Sequence, residues 1–119
     1  MHDYPLIYKN LRDIELRRLV GKPLFGLGRQ VATPGALELL TRAQCHPTRL
    51  LQRHQCGDWS DPDGLCLIDK AANDHALLSG GRLLSLYLVD DIRLYVITEA
   101  VNEATSQRDS TCILLPSEY

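Results

Sequence analysis

The chain has 119 residues, of which 45% are hydrophobic, and a formal net charge of −2. That length supports one hydrophobic core and is short for two. No apolar run approaches the roughly 18 residues that a bilayer-crossing helix needs, and Met1–Pro5 lacks the basic start and apolar centre of a signal peptide, so a soluble, cytoplasmic protein with no membrane partner is expected.

Asn10 is placed to cap a short helix over Leu11 to Val20, where Leu11, Ile14 and Val20 recur near helical spacing and Gly21 and Pro23 supply a stop. Residues 1–24 read as an N-terminal extension, and residues 25–119 as a single α+β domain. The glycine-punctuated stretch Leu24 to Ala32 fits a short strand or an extended connector. Gly26 and Gly28 make a weak phosphate-loop signal, because no Lys-Ser/Thr follows them. Thr33-Pro34 then starts a helix with a hydroxyl cap and proline at the first position, ending near Ala43. His46-Pro47 opens another by the same logic, carries Leu50 and Leu51 inward, and stops at Gly57. His54 therefore falls at a helix C-terminus, where a cation is favoured by about 0.3–1 kcal/mol. Asp61-Pro62 repeats the cap-and-proline pattern and predicts a helix to Ser79, stopped by Gly80-Gly81, with Leu65, Ile68, Ala72 and Ala76 facing the core.

The remainder reads as antiparallel sheet. Arg82–Val89 and Ile92–Glu99 are separated only by Asp90-Asp91, which predicts a two-residue hairpin whose paired residue numbers sum to 181. Ser85 and Thr98 share one face with Leu83, Tyr87, Val89, Leu94 and Val96; the other face holds Leu84, Leu86, Leu88, Tyr95 and Ile97. Both faces are apolar, so the second is expected to be covered by the helices or by another subunit. Val101 to Asp109 looks like a polar loop, and Thr111–Leu115 is a third strand. The fold expected is thus about three helices followed by a three-stranded antiparallel β-meander packed against them.

Four cysteines (Cys45, Cys56, Cys66 and Cys112) show no C-x-x-C spacing and read as reduced thiols in a cytoplasmic chain. Cys45-His46 and His54-x-Cys56 are the nearest approach to paired zinc ligands, and neither has the spacing of a structural site. No metal or cofactor is expected. Charge divides unevenly: residues 1–53 carry nine Lys/Arg against four Asp/Glu, and residues 54–119 carry four against eleven. Scattered arginines without interleaved aromatics favour halves that complement each other on folding or dimerisation over a surface for a polyanion.

The densest local chemistry is His54-Gln55-Cys56-Gly57-Asp58-Trp59-Ser60-Asp61, a turn between helices that holds the sole tryptophan. Candidate binding residues are His54, Asp58, Trp59, Asp61, Asn73, Arg82, Tyr87 and Glu99. Each has a plain structural alternative. Asp58 and Asp61 suit turns and caps, Asn73 a hydrogen bond tying its helix to the turn, Arg82 and Glu99 a cross-strand pair, and Tyr87 a core aromatic. The leading expectation is a non-enzymatic binding or interaction module, with a homodimer through a sheet face as one form of partnership. The alternative is a small nucleic-acid-processing enzyme like the ribonuclease toxins, drawing acid, base and phosphate ligands from His54, His75, Tyr87, Glu99 and Arg82. The acidic second half disfavours that partner. A metal-dependent hydrolase built on His54, Asp58 and Asp61, or a Cys56 or Cys112 nucleophile, has no diagnostic spacing behind it.

Several stretches, in order, carry a resemblance: Val31-Ala32-Thr33-Pro34-Gly35-Ala36-Leu37; Arg53-His54 with Gly57-Asp58-Trp59; Asp69-Lys70 with Asn73 and Ala76-Leu77; Arg82-Leu83-Leu84-Ser85 with Tyr87; Ile97-Thr98-Glu99-Ala100; and Leu114-Leu115-Pro116 with Glu118-Tyr119. Over about residues 26–119 the chain resembles a family of small uncharacterised bacterial proteins from mobile elements, of plasmid, phage or integron-cassette type. The resemblance implies a shared fold and a mobile-element origin, and brings no established activity. The family pattern lacks the first 24 or so residues and has a shorter link after the Thr-Glu-Ala segment.

Overall fold

Asn10 opens the first helix as its side chain predicts, accepting the Asp13 amide at 2.9 Å, and α1 spans Leu11–Leu19. The computed structural model describes residues 4–119; Met1, His2 and Asp3 of the expected N-terminal extension lie outside the described residues. This segment does not stand apart from the domain. Tyr8, Ile14 and Leu24 are buried in a cluster with Phe25, Trp59, Ala76, Leu77 and Leu83, whereas Leu11 and Val20 are exposed.

After β1 (Arg29–Ala32), Thr33 and Pro34 begin α2 (Pro34–Arg42), with the Thr33 hydroxyl accepting the Ala36 amide at 3.3 Å. His46 caps α3 (Pro47–Gln55) through Nδ1, which accepts the Thr48 amide at 3.2 Å, and Gly57 turns the chain at φ +80°. The helix expected from Asp61-Pro62 begins five residues later, as α4 (Leu67–Ser79). Asp61 is not free to cap it, because its carboxylate is already taken by Arg53 and by the Leu88 amide. The buried residues of α4 are Asn73, Ala76 and Leu77; Ala76 is expected in the core, whereas Ile68 and Ala72, also expected there, are exposed, Ile68 at 80%. Gly80 ends α4 in the left-handed region.

β2 (Leu83–Val89) and β3 (Ile92–Thr98) pair in the register expected from the sequence, Leu83 opposite Thr98 and Val89 opposite Ile92. Asp90 and Asp91 both adopt positive φ, as a primed two-residue turn requires. The sheet is mixed and four-stranded rather than a three-stranded meander. β6 (Ser110–Leu114) runs antiparallel to β3, and β1 adds in parallel to β6, giving the order β1-β6-β3-β2. The expected polar loop folds into a small hairpin of β4 (Val101–Asn102) and β5 (Gln107–Arg108), and the chain ends in a 3-10 turn at Pro116–Glu118.

Helices α2 and α3 cover the inner face, where Ala36, Leu39, Leu40, Leu50 and Leu51 pack on Tyr87, Val89, Leu94, Val96 and Ile113. The outer face is only partly covered. Leu86, Ile97 and Leu114 are buried, while Leu84 and Tyr95 are half-buried and Leu88 is exposed. Ion pairs join the two oppositely charged halves: Arg18 to Asp74, Arg53 to Asp58 and Arg53 to Asp61. Among the described residues, no helix is long and apolar enough to cross a membrane.

Candidate functional site

Sheet pairing turns the amides and carbonyls of Leu83, Ser85, Tyr87 and Val89 toward β3, and those of Leu84, Leu86 and Leu88 outward from the edge. Three of the residues expected to form a site, Trp59, Asp61 and Asn73, close this edge. The Asn73 carboxamide accepts the Leu84 amide at 3.0 Å and donates to the Leu84 carbonyl at 2.6 Å. The turn runs alongside in parallel, so that Leu86 donates to the Trp59 carbonyl at 2.9 Å and accepts the Asp61 amide at 3.3 Å. The Asp61 carboxylate then takes the Leu88 amide at 2.7 Å. An exposed row of backbone groups is a template for aggregation, and here side chains and a turn occupy it.

His54 is fully buried and does not act as a helix-terminal cation. Its Nδ1 lies 2.5 Å from the Ser85 hydroxyl and its Nε2 lies 2.8 Å from the Thr98 hydroxyl. Thr98 in turn meets Thr111 at 2.7 Å, and Thr111 donates to the Leu27 carbonyl at 2.7 Å. The carbonyl fixes the direction of the whole chain, because it accepts only. Thr111 spends its proton there, Thr98 must donate to Thr111, and His54 must donate from Nε2 to Thr98. With the ring neutral, this makes it the Nε2–H tautomer, and Ser85 donates to Nδ1. Burial, with the Arg108 charge adding to it, holds the imidazole down to about 3. Phe25 and Trp59 seal it from the side, with ring centroids 5.1 and 5.7 Å from the imidazole.

The remaining corner groups are also engaged. The Trp59 indole donates to Asp74 at 2.9 Å, and Arg53 bonds to Asp58 at 2.6 Å and to Asp61 at 2.9 Å. The Arg53 guanidinium stacks 4.3 Å from the Tyr87 ring centre. The buried Tyr87 hydroxyl donates to the Asp58 carbonyl, and burial pushes its pKa well up. The Cys56 and Cys112 thiols are likewise raised by burial, which opposes a thiolate nucleophile. Among the described residues, no three His, Cys, Asp or Glu groups converge as metal ligands.

Arg82 and Glu99 lie apart from this corner, just before the start of β2 and just past the end of β3. Their side chains pair at 3.4 Å, and Arg82 also donates to the Tyr119 hydroxyl at 2.8 Å. Tyr119 meets Tyr95 edge to face, with centroids 6.1 Å apart. Beside them is an outer-face depression of about 510 Å³, lined by Arg82, Leu84, Arg93 and Tyr95 of the sheet and by Asp69 and Asn73 of α4. A second hollow, of about 520 Å³, lies between the Tyr4–Leu6 segment, the Phe25–Gly28 loop and β5.

Ser85 and Thr98, which hold His54, and Thr111, which backs Thr98, are not among the expected site residues. Their signal was legible for Ser85 and Thr98, which are polar at strand positions whose alternation sends them to the core. Arg108 gave no such signal. It is buried, donates to the carbonyls of Gly81, Glu99 and Ala76 around the end of α4, and has its pKa lowered by burial to about 10. Comparisons of the chain with protein-family models, curated proteins and solved structures return no match.

Proposed function

We propose that this protein is a non-enzymatic interaction module of mobile-element origin, and that it recognises a protein partner with the outer face of its sheet. One observation carries this reading. The polar groups of the 54–61 corner are committed to one another and to the β2 edge, whereas the outer face presents arginines and tyrosines over a leucine floor beside an open depression. Tyrosine and arginine flanking apolar area are the residue types that dominate protein–protein binding energy. Leu88, together with Leu67 and Ile68 at the start of α4, adds exposed apolar surface, at 42%, 83% and 80% exposure.

Affinity purification from source cells tests the reading, comparing wild type with the double variant Arg93→Glu, Tyr95→Asp and with His54→Gln. A partner should be retained by wild type and by His54→Gln and lost by the outer-face variant. Turnover of RNA, DNA or a phosphoester by the purified protein, abolished in His54→Gln, would overturn it in favour of the ribonuclease-like alternative.

A further inference from the structure

The two edges of the sheet are treated in opposite ways. On β2 the outward backbone groups of Leu84 and Leu86, and the Leu88 amide, are occupied by Asn73, Trp59 and Asp61. On β1, Arg29 and Thr33 donate inward to the Asp109 and Ile113 carbonyls, at 2.9 and 3.0 Å. Alternation then sends the amides and carbonyls of Gln30 and Ala32 outward. Among the described residues, nothing pairs with those four groups. Arg29, Gln30 and Val31 are exposed, and the hollow beside Gln30 leaves space on the inner side of the strand. No proline or bulge interrupts this edge.

We propose that β1 is the docking edge for a second copy of this chain, pairing antiparallel about a two-fold axis at Val31 to give one continuous eight-stranded sheet. The register follows from the outward groups. Centring on Val31 places Gln30 opposite Ala32 of the second copy, and this pairing uses every outward amide and carbonyl in four hydrogen bonds. Centring on Gln30 would call on Gly28, whose φ of +63° is not strand, and centring on Ala32 would call on Pro34, which has no amide. Charge agrees with the same register. Arg29 comes opposite Thr33 of the second copy, whose hydroxyl donates to the Glu118 carboxylate at 2.5 Å. Each copy thus offers a cation at one end of β1 and a carboxylate at the other, and the two-fold axis brings unlike charges together twice. The same axis stands perpendicular to the sheet, so both outer faces point the same way and a partner would meet two binding surfaces.

Sedimentation and light scattering across the micromolar range test this, with Gln30→Pro as the blocking variant. Proline there deletes an outward amide and none of the bonds to β6, so folding should be retained. Wild type should dimerise with rising concentration, and Gln30→Pro should weaken the dimer by about tenfold or more. Val31 faces itself in a non-hydrogen-bonded pair, with Cα atoms about 4.5 Å apart, which suits a disulfide. In a Cys66→Ser, Cys112→Ser background, Val31→Cys should therefore cross-link on oxidation, while Arg29→Cys, displaced from the axis, should not. A wild type that stays monomeric, a dimer insensitive to Gln30→Pro, or equal cross-linking at both positions would overturn the proposal. These outcomes are separate from loss or retention of a partner on the outer face.

Discussion

Acid should destabilise this protein through His54, by an amount that the structure sets. The imidazole is ordinary in the unfolded chain, at 6.5, and is held near 3 in the fold by burial and by Arg108. Between those values the unfolded state binds a proton that the folded state excludes. Stability therefore rises with pH in this window and falls on acidification. The slope approaches about 1.36 kcal/mol per pH unit below 6.5, so moving from pH 7.5 to pH 5 removes about 2 kcal/mol through this one residue. That size does not depend on the exact folded value, provided it lies about a pH unit or more below 5. It is a large share of a typical total of roughly 5–15 kcal/mol. His54→Gln supplies a non-titrating amide and should cost about 1–3 kcal/mol at neutral pH through imperfect bonds to Ser85 and Thr98. Urea unfolding of both proteins at pH 7.5, 6 and 5, at constant ionic strength, gives the test, since the difference between them cancels every other titrating group. The gap should shrink by about 2 kcal/mol between pH 7.5 and pH 5. Parallel curves would show that His54 takes up its proton in the fold, and would refute the neutral ring that accepts from Ser85 at Nδ1, since the Nε2–H bond toward Leu27 survives protonation.

Two further substitutions probe the scaffold around that chain. Asn73→Leu deletes both bonds to Leu84 and should cost about 2–3 kcal/mol in urea unfolding, with aggregation rising as the β2 edge opens; unchanged stability and solubility would show that the carboxamide does not close the edge. Gly28→Ala places a methyl group 2.3 Å from the Arg108 carbonyl oxygen at a φ of +63°, and should cost about 2 kcal/mol or more in thermal unfolding; a neutral effect would contradict the close approach of the Phe25–Gly28 loop to β5.

Local rules recovered the elements whose causes are local. Thr33-Pro34 and His46-Pro47 start their helices because a side-chain cap and a fixed φ act within one turn. The β2–β3 register followed from alternation and a two-residue turn. What escaped were contacts between distant segments. The β1–β6 pairing joins residues about eighty apart and leaves no periodicity in either strand. Asp61-Pro62 has the form of a helix start, yet Arg53 and the Leu88 amide hold the carboxylate, and tertiary demand overrode the local pattern. For the candidate site, the residues were legible and their arrangement was not. His54, Asp58, Trp59, Asp61, Asn73 and Tyr87 converge on the β2 edge and the layer beneath it, whereas Arg82 and Glu99 face a different surface.

A dense run of polar and aromatic residues is ambiguous in a sequence because binding and edge closure draw on the same chemistry. Both need carboxylates, amides and a planar ring held in fixed geometry. They differ in where the second partner of each polar atom comes from. At a binding site some atoms are left to a ligand; at a closed edge the chain supplies both ends. In the 54–61 corner the chain supplies both: Asp61 serves Leu88 and Arg53, Asn73 serves both groups of Leu84, and each nitrogen of His54 faces a hydroxyl. Arg29-Gln30-Val31-Ala32 is chemically plain by comparison, yet its outward backbone groups have no partner among the described residues. Unspent hydrogen-bonding capacity, rather than local density of reactive side chains, therefore marks where this fold can take on another molecule.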